Sequence, residues 1–302
     1  MSTRAQYWAG VAWGMTRRHA YLFDPDNRLL ERHSDDVGVA CQPADYADAL
    51  AGLLARWPQI VTDSDVYLTG MVGSRHGWLE TPYLPVPVAL EQIRPHLMRA
   101  PFAAARAWIV PGLSDDTGPD VMRGDETLAL GAWRLGAGDG CYVMPGTHAK
   151  WLCIDAGRIT CSHTFMTGEL FSLLQRQGTL ASLLLPADDQ SGIDIESFDA
   201  GLATAAQGRT LSHALFSLRA LILRHRLSAE LGPSWLSGLL IGSEFTDAGV
   251  RPLLAGGVIH IVGTSPLAAL YARAAHKQGV EARVINADDA FVAALAALRG
   301  QL

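Results

Sequence analysis

Two strand–turn–strand openings, one at the start of the chain and one near its middle, constrain the fold more than any other feature. In the first, the apolar run Tyr7 to Val11 reads as a buried strand, Gly14 breaks it, and His19 to Phe23 returns before the turn Asp24-Pro25-Asp26-Asn27. In the second, Cys141 to Met144 runs into Pro145-Gly146-Thr147-His148, and Trp151 to Ile154 with Arg158 to Thr164 makes a further hairpin around Ala156-Gly157. Each opening puts a short turn at strand ends, where backbone N–H groups converge. Two such turns facing each other across a cleft can grip the phosphate chain of a nucleotide. A late strand, Val258 to Val262, runs through Gly263-Thr264-Ser265 into a helix and supplies a third wall.

Between these landmarks the pattern is α/β. From Asp45, a good N-cap, Leu50, Leu53, Leu54 and Trp57 recur at helical spacing, and Pro58 ends the run. Val66 to Thr69 is a strand entering the turn Gly70-Met71-Val72-Gly73-Ser74; Tyr83 to Val88 reads as an extended connector and Trp108 to Val110 as a strand. A helix covers about 125–135, and four more cover roughly 168–184, 195–206, 210–231 and 234–248. The chain closes with a helix at 265–277, a strand at 282–285 and a helix at 287–298. A length of 302 residues allows two lobes with separate cores. The expected boundary is the loop 114–119, giving lobes 1–117 and 118–286, with a closing helix at about 287–302 free to pack on the first.

Composition narrows the functional classes. The net charge is −6 and the basic residues form no run, which argues against a nucleic-acid partner. Cys41, Cys141, Cys153 and Cys161 show no metal-binding spacing and read as thiols of a reducing cytosol, a bridge between Cys153 and Cys161 being the minority alternative. No signal peptide and no apolar run of membrane-spanning length appear, so a cytoplasmic protein is expected.

Each candidate motif has a structural reading beside its chemical one. The Gly146-Thr147 turn brings amides and a hydroxyl to an anion, with His148 and Lys150 nearby; it also reads as an ordinary β-turn. Asp125 and Glu126 suit the positive end of a helix, and equally a carboxylate that orients an attacking hydroxyl and accepts its proton. Gly73, Ser74 and Arg75, with Trp78 after them, can bind a carboxylate, or form a glycine turn with a solvated arginine and a core tryptophan. Thr167 and Glu169 fit a helix N-cap and first turn, Glu169 alternatively a sugar hydroxyl. Gly238 to Gly242 reads first as close helix packing and second as a platform for adenine. Walker, dinucleotide-binding and nucleophile-elbow motifs are missing from the sequence.

Taken in order, the strings Gly70-Met71-Val72-Gly73-Ser74, Gly77-Trp78, Pro82-Tyr83-Leu84-Pro85, Ile109-Val110-Pro111-Gly112-Leu113 and Asp120-Val121-Met122-Arg123-Gly124 with Glu126-Thr127 resemble the 2-keto-3-deoxygalactonate kinases. The match continues through Met144 to His148 with Lys150-Trp151, Thr167-Gly168-Glu169-Leu170, and Ser237 to Gly242 with Glu244. The resemblance implies a two-lobed actin-like ATPase fold of ribonuclease-H-like topology with a central nucleotide cleft. It also implies transfer of the γ-phosphoryl of Mg²⁺-bound ATP to the 6-hydroxyl of 2-dehydro-3-deoxy-D-galactonate, in galactonate catabolism. By the same resemblance Asp125 is the catalytic base. Gly73, Ser74, Arg75, Trp78 and Glu169 face the sugar acid. Gly14, Thr16, Gly146, Thr147, His148 and Lys150 face phosphate, and Gly263, Thr264 and Ser265 face adenosine.

The departure lies in the first hairpin, where the family pattern Asp-Trp-Gly-Ser-Thr-Asn-x-Arg is replaced by Ala12-Trp13-Gly14-Met15-Thr16-Arg17-Arg18-His19. Ala12 removes an anchor for Mg²⁺ and leaves the metal ligands open; Arg17 and Arg18 are candidates for a direct grip on phosphate. Asp125 stands where close relatives are expected to carry Glu, keeping the acid and shortening its reach. Two alternatives follow: a non-catalytic relative that binds sugar acid or nucleotide, and a kinase for another keto-deoxy acid. A homodimer is left open.

Overall fold

The computed structural model of the protein describes residues 6–41, 45–184, 192–264 and 266–300. Its strands and helices begin with β1 (Trp8–Trp13), β2 (Arg18–Phe23), β3 (Leu29–Asp35), α1 (Tyr46–Leu54), β4 (Asp65–Gly70) and β5 (Tyr83–Pro85). They continue with β6 (Val88–Ala89), β7 (Met98–Arg99), β8 (Arg106–Ile109), β9 (Gly112–Asp115), β10 (Asp120–Met122) and α2 (Asp125–Ala132). Next come β11 (Gly140–Met144), β12 (Ala149–Asp155), β13 (Arg158–Phe165), α3 (Thr167–Arg176), α4 (Gly178–Ala181) and α5 (Ile195–Ala205). The last are α6 (Leu211–Leu223), α7 (Gly232–Thr246), β14 (Val258–Gly263), α8 (Leu267–Lys277), β15 (Glu281–Asn286) and α9 (Ala287–Arg299). The chain divides into a first unit of Met1–Asp139, Ile154–Ser162 and Ile285–Leu302, and a second of Gly140–Cys153 and His163–Val284.

The first unit holds a six-stranded sheet in the order β3-β2-β1-β4-β8-β7. β1, β4 and β8 are mutually parallel, and such strands bury both faces, which is why Val11, Leu68 and Ile109 lie in unbroken apolar runs. On one face Ala9, Val11 and Trp13 pack with Leu50, Leu53 and Leu54 of α1. Asp45 caps that helix as its sequence predicts, accepting from the N–H groups of Ala47 and Asp48 at 2.7 and 3.3 Å. Gly10 faces the other side, where a β-carbon would lie 2.1 Å from Leu295 Cδ1 of α9, so the glycine lets the Leu295 side chain of α9 rest directly on the strand. β5, β9 and β10 make a separate three-stranded sheet whose β9–β10 turn, 116–119, lies inside this unit. The extended reading of 83–88 thus resolves into two short strands.

In the second unit β11 and β14 pair in parallel, and β12 lies on the other side of β11. Helices α3 to α8 belong to this unit. The helix expected over 168–184 breaks at Gln177, which is extended, and Gly178, at φ 78°. The one expected over 210–231 stops at Leu223, where the apolar stripe gives way to exposed Arg224, His225 and Arg226. The four cysteines are in no disulfide. Among the described residues no helix is long and apolar enough to cross a membrane.

Candidate active site

In the first unit the β1–β2 turn is closed by the Gly14 N–H donating to Arg17 O at 2.9 Å. The carbonyls of Gly14 and Met15 accept from Val39 and Ala40 at 3.0 and 2.8 Å, so the turn is held from below while Met15 and Thr16 face solvent. Arg18 is only 4% exposed: it grips Asp35 with two bonds of 2.9 and 2.7 Å, donates to Ala49 O and lies 4.7 Å from the Trp13 ring centroid. Those bonds commit Arg18 to the fold, which overturns its candidacy for phosphate. Arg17 is exposed and paired with Asp36.

β4 lies beside β1 with Ala12 opposite Thr69 and Trp13 opposite Gly70. Gly70 has φ 89°, and a β-carbon on it would sit 2.9 Å from Trp13 O. Gly124, at φ 99°, would in turn place a β-carbon 3.2 Å from Gly70 Cα. Two glycine turns therefore touch, and the first residue past that contact is half-buried Asp125, opening α2. Glu126 is fully buried beneath it, taking the Gly124 N–H at 2.9 and 2.7 Å on its two oxygens and the Thr127 hydroxyl at 3.1 Å. Since Thr127 gives its proton to Glu126, it accepts from Thr69 across 2.8 Å, tying α2 to β4. Burial, then the charge of Asp125, push the Glu126 carboxyl up to about 7 against the opposing pull of its N–H and hydroxyl donors.

Ser74, on the glycine turn, is 7% exposed and its hydroxyl has no hydrogen-bond partner among the described residues, and Arg75 beside it is exposed. Arg123 donates to the hydroxyl of Thr81 and, at 2.9 Å, to its carbonyl, stacks 4.4 Å from the Tyr83 ring centroid, and approaches Gly73. Trp78 packs at the edge of the core, stacked on Tyr46 and edge-on to Phe102. Sequence reasoning quoted Arg123 without assigning it and passed over Thr81; the Arg-Gly-Asp string was the available signal.

In the second unit the turn after β11 carries Gly146, Thr147 and His148. The start of α3 is docked on it: a β-carbon at Gly168 would lie 2.5 Å from Gly146 O, and Glu169 N donates to Thr147 O at 2.9 Å. The positive end of a ten-residue helix thus adjoins the turn. Glu169 Oε2 is 2.5 Å from His148 Nε2, so this carboxylate is engaged beside the Gly-Thr turn. Lys150 is 6% exposed, with its ammonium 3.5 Å from His148 O. Thr167 is not the N-cap of α3; that position is Met166, and the Thr167 hydroxyl turns instead to Glu244.

A cavity of about 300 Å³ opens beside this turn, walled by Gly146, Thr167, Ile241, Leu267 and Tyr271 among others. Its volume and apolar lining suit a flat aromatic ligand such as a nucleobase. Gly263 ends β14 next to Pro145, and Thr264 O accepts the Ala268 N–H of α8 at 3.2 Å. Ser265 lies outside the described residues. Behind the wall, Glu244 is fully buried with three donors, and burial pushes its carboxyl up to about 7. The contacts of Glu244 with this wall are not legible in the sequence alone, because 77 and 93 residues separate Glu244 from Thr167 and Trp151, and 27 from Tyr271.

Known proteins carry the same arrangement of chain. A protein of Rhizobium meliloti named a probable 2-dehydro-3-deoxygalactonokinase is 35% identical over 299 residues, 98% of this chain and 97% of its own length. The 2-dehydro-3-deoxygalactonokinase of Escherichia coli is 35% identical over 289 residues, 94% of each chain. A crystal structure from Sinorhizobium meliloti, described as a candidate 2-dehydro-3-deoxygalactonokinase, matches with a TM-score of 0.87 at 33% identity, covering 97% of this chain and 95% of that one. More distantly, an activator of 2-hydroxyisocaproyl-CoA dehydratase from Clostridium difficile, at 12% identity, 97% and 95% coverage and a TM-score of 0.50, shares the fold. The fold is that of the actin-like ATPases and sugar kinases. The model of the 2-keto-3-deoxy-galactonokinase family matches residues 12–298, and this chain belongs to that family.

Proposed function

We propose that this protein is a 2-dehydro-3-deoxygalactonokinase, moving the γ-phosphoryl group of ATP to the 6-hydroxyl of 2-dehydro-3-deoxy-D-galactonate in the cytoplasmic breakdown of galactonate. The observation that supports the reading is the contact of the Gly70 and Gly124 turns, with Asp125 the first residue past it, opening α2. There it orients the acceptor hydroxyl and takes its proton as the new O–P bond forms. Ser74 and Arg75 receive the acid's own carboxylate. In the second unit Gly146, Thr147, His148 and Lys150 take phosphate and the 300 Å³ cavity takes the nucleoside; in the first unit Gly14 and Thr16, on the β1–β2 turn, are the phosphate candidates.

Mg²⁺ enters as part of the nucleotide substrate, where it neutralises phosphate charge. Among the described residues no three His, Cys, Asp or Glu side chains gather to hold a metal, and β1 presents Ala12 where a carboxylate was expected. An ion held chiefly by phosphate and water fits these side chains; a resident one does not.

The test is a coupled ADP-release assay with Mg²⁺, ATP and 2-dehydro-3-deoxy-D-galactonate, run beside Ala12→Asp. Turnover that depends on the acid in the unmodified protein supports the kinase. Turnover only in Ala12→Asp identifies a binding relative, and silence from both, with the acid still bound, points to another acceptor.

A further inference from the structure

Glu244 lies behind the wall of the nucleoside cavity, on α7. Its Oε1 accepts both the Tyr271 hydroxyl, at 2.5 Å, and the Thr167 hydroxyl; its Oε2 accepts the Trp151 indole N–H at 2.6 Å. Thr167 and Tyr271 themselves line the cavity. A hydroxyl has one proton, so a hydroxyl that donates it to a carboxylate can offer other partners only its lone pairs. The carboxylate is neighboured by one indole and two hydroxyls, with no cation among the partners that hold it. An ion pair is therefore not its purpose.

We propose that Glu244 is a positioning residue that sets the hydrogen-bond polarity of the nucleoside cavity, making the Thr167–Tyr271 wall acceptor-only and selecting a nucleoside that presents an N–H or O–H donor to it. The proposal rests on the reading of this cavity as the nucleoside end of the site. The donor is either the exocyclic amino group of the base or a ribose hydroxyl.

Glu244→Gln inverts the polarity at nearly constant shape. The Trp151 indole N–H can only donate, so the amide oxygen must face it and the NH2 group must face the two hydroxyls. Both hydroxyls then accept, and both turn their protons outward. Binding of ATP, ITP, 2′-deoxy-ATP and 3′-deoxy-ATP, each with Mg²⁺ and without sugar acid, is measured by titration calorimetry on both proteins at about pH 8.5, above the value of about 7 to which burial raises the Glu244 carboxyl, so that it is ionised. The wild type is expected to favour ATP by about tenfold or more over whichever analogue lacks the donor, and Glu244→Gln to compress that ratio at least about fivefold. Loss with ITP assigns the amino group; loss with a deoxynucleotide assigns the ribose.

A natively folded Glu244→Gln that keeps the wild-type ratios overturns the proposal, as does a wild type that binds all four alike. If Glu244→Gln does not fold, Tyr271→Phe and Thr167→Val each remove one acceptor and leave the carboxylate in place. Reduced discrimination in either supports the proposal, and unchanged ratios in both overturn it. A protein that selects ATP in this assay yet does not phosphorylate the acid sinks the kinase reading and upholds this one.

Discussion

At the residue scale the side chain proposed as the base is Asp125, whose place in the chain is fixed by two glycines and a buried acid. Gly124 adopts φ 99°, a conformation costly for residues with a β-carbon, and Glu126 holds its N–H from below through both carboxylate oxygens. Asp125→Asn keeps the helix start and the shape but cannot accept the hydroxyl proton. It is expected to lower kcat by about a thousandfold, within the range for loss of a general base, while leaving the binding of ATP and sugar acid within about twofold. Single-turnover kinetics and calorimetry check the two halves, and near-normal kcat would remove Asp125 from the base role. Much at this scale was legible before the structure. Asp45 capping α1 and the acids at the start of α2 follow from local chemistry, since the relevant partners are within a few residues. Arg18 was not legible: its partners are Asp35 and Ala49, and only strand pairing across β2 and β3 reveals that it is buried. Thr167 misled for the same reason, its hydroxyl being drawn 77 residues away to Glu244 instead of to its own helix.

At the element scale the α5–α7 packing shows how a glycine sets a distance. A β-carbon at Gly238 would lie 2.0 Å from Phe198 O, and one at Gly201 would lie 2.1 Å from Trp235 O. Both obstacles are backbone, which a rotamer change cannot relieve, so the helices would have to separate. Gly238→Ala is expected to destabilise the protein by about 2 kcal/mol, the overpacking cost exceeding the gain in helix propensity of ~1 kcal/mol. Gly52, exposed on α1 with nothing near its missing β-carbon, is the matched control: Gly52→Ala should be neutral or stabilising by up to ~1 kcal/mol. Thermal melts of the pair test this, and equal shifts would refute the packing argument. The sequence reading of 238–242 as close helix packing is the one the structure supports, since small residues at helical spacing leave room for a neighbouring backbone. The two turn-bearing hairpins were also legible, from apolar runs broken by glycine. Strands β5, β6, β7, β9 and β10 were missed or blurred. They span two to four residues, too few for alternation to register, and their pairing depends on partners far along the chain.

At the scale of the whole molecule, each unit carries one fully buried carboxyl among the described residues, Glu126 in the first and Glu244 in the second. Both are pushed up to about 7 from an ordinary 4.5, chiefly by burial. The linkage sign follows from proton counts. Between pH 4.5 and 7 the folded chain keeps these protons and the unfolded chain has lost them, so raising the pH favours unfolding. Their contribution is fully present below about pH 4.5 and is lost as the pH passes 7, by up to about 3 kcal/mol each. The opposite trend comes from Asp199, which hydrogen bonds from Arg273, and then Lys277, hold at about 2. That stabilisation exists above the ordinary Asp range near 4 and disappears as the pH falls toward 2. Stability should therefore peak near pH 4 to 5 and decline toward pH 8. Denaturant unfolding at pH 5 and pH 8 measures the decline, with Glu126→Gln and Glu244→Gln each expected to remove roughly half of it, because a neutral amide has no proton to lose. A wild-type profile that is flat or rises over this interval would show that both acids are ionised in the folded state. The Gly124 N–H and the Thr167–Tyr271 pair would then each be held by a full negative charge.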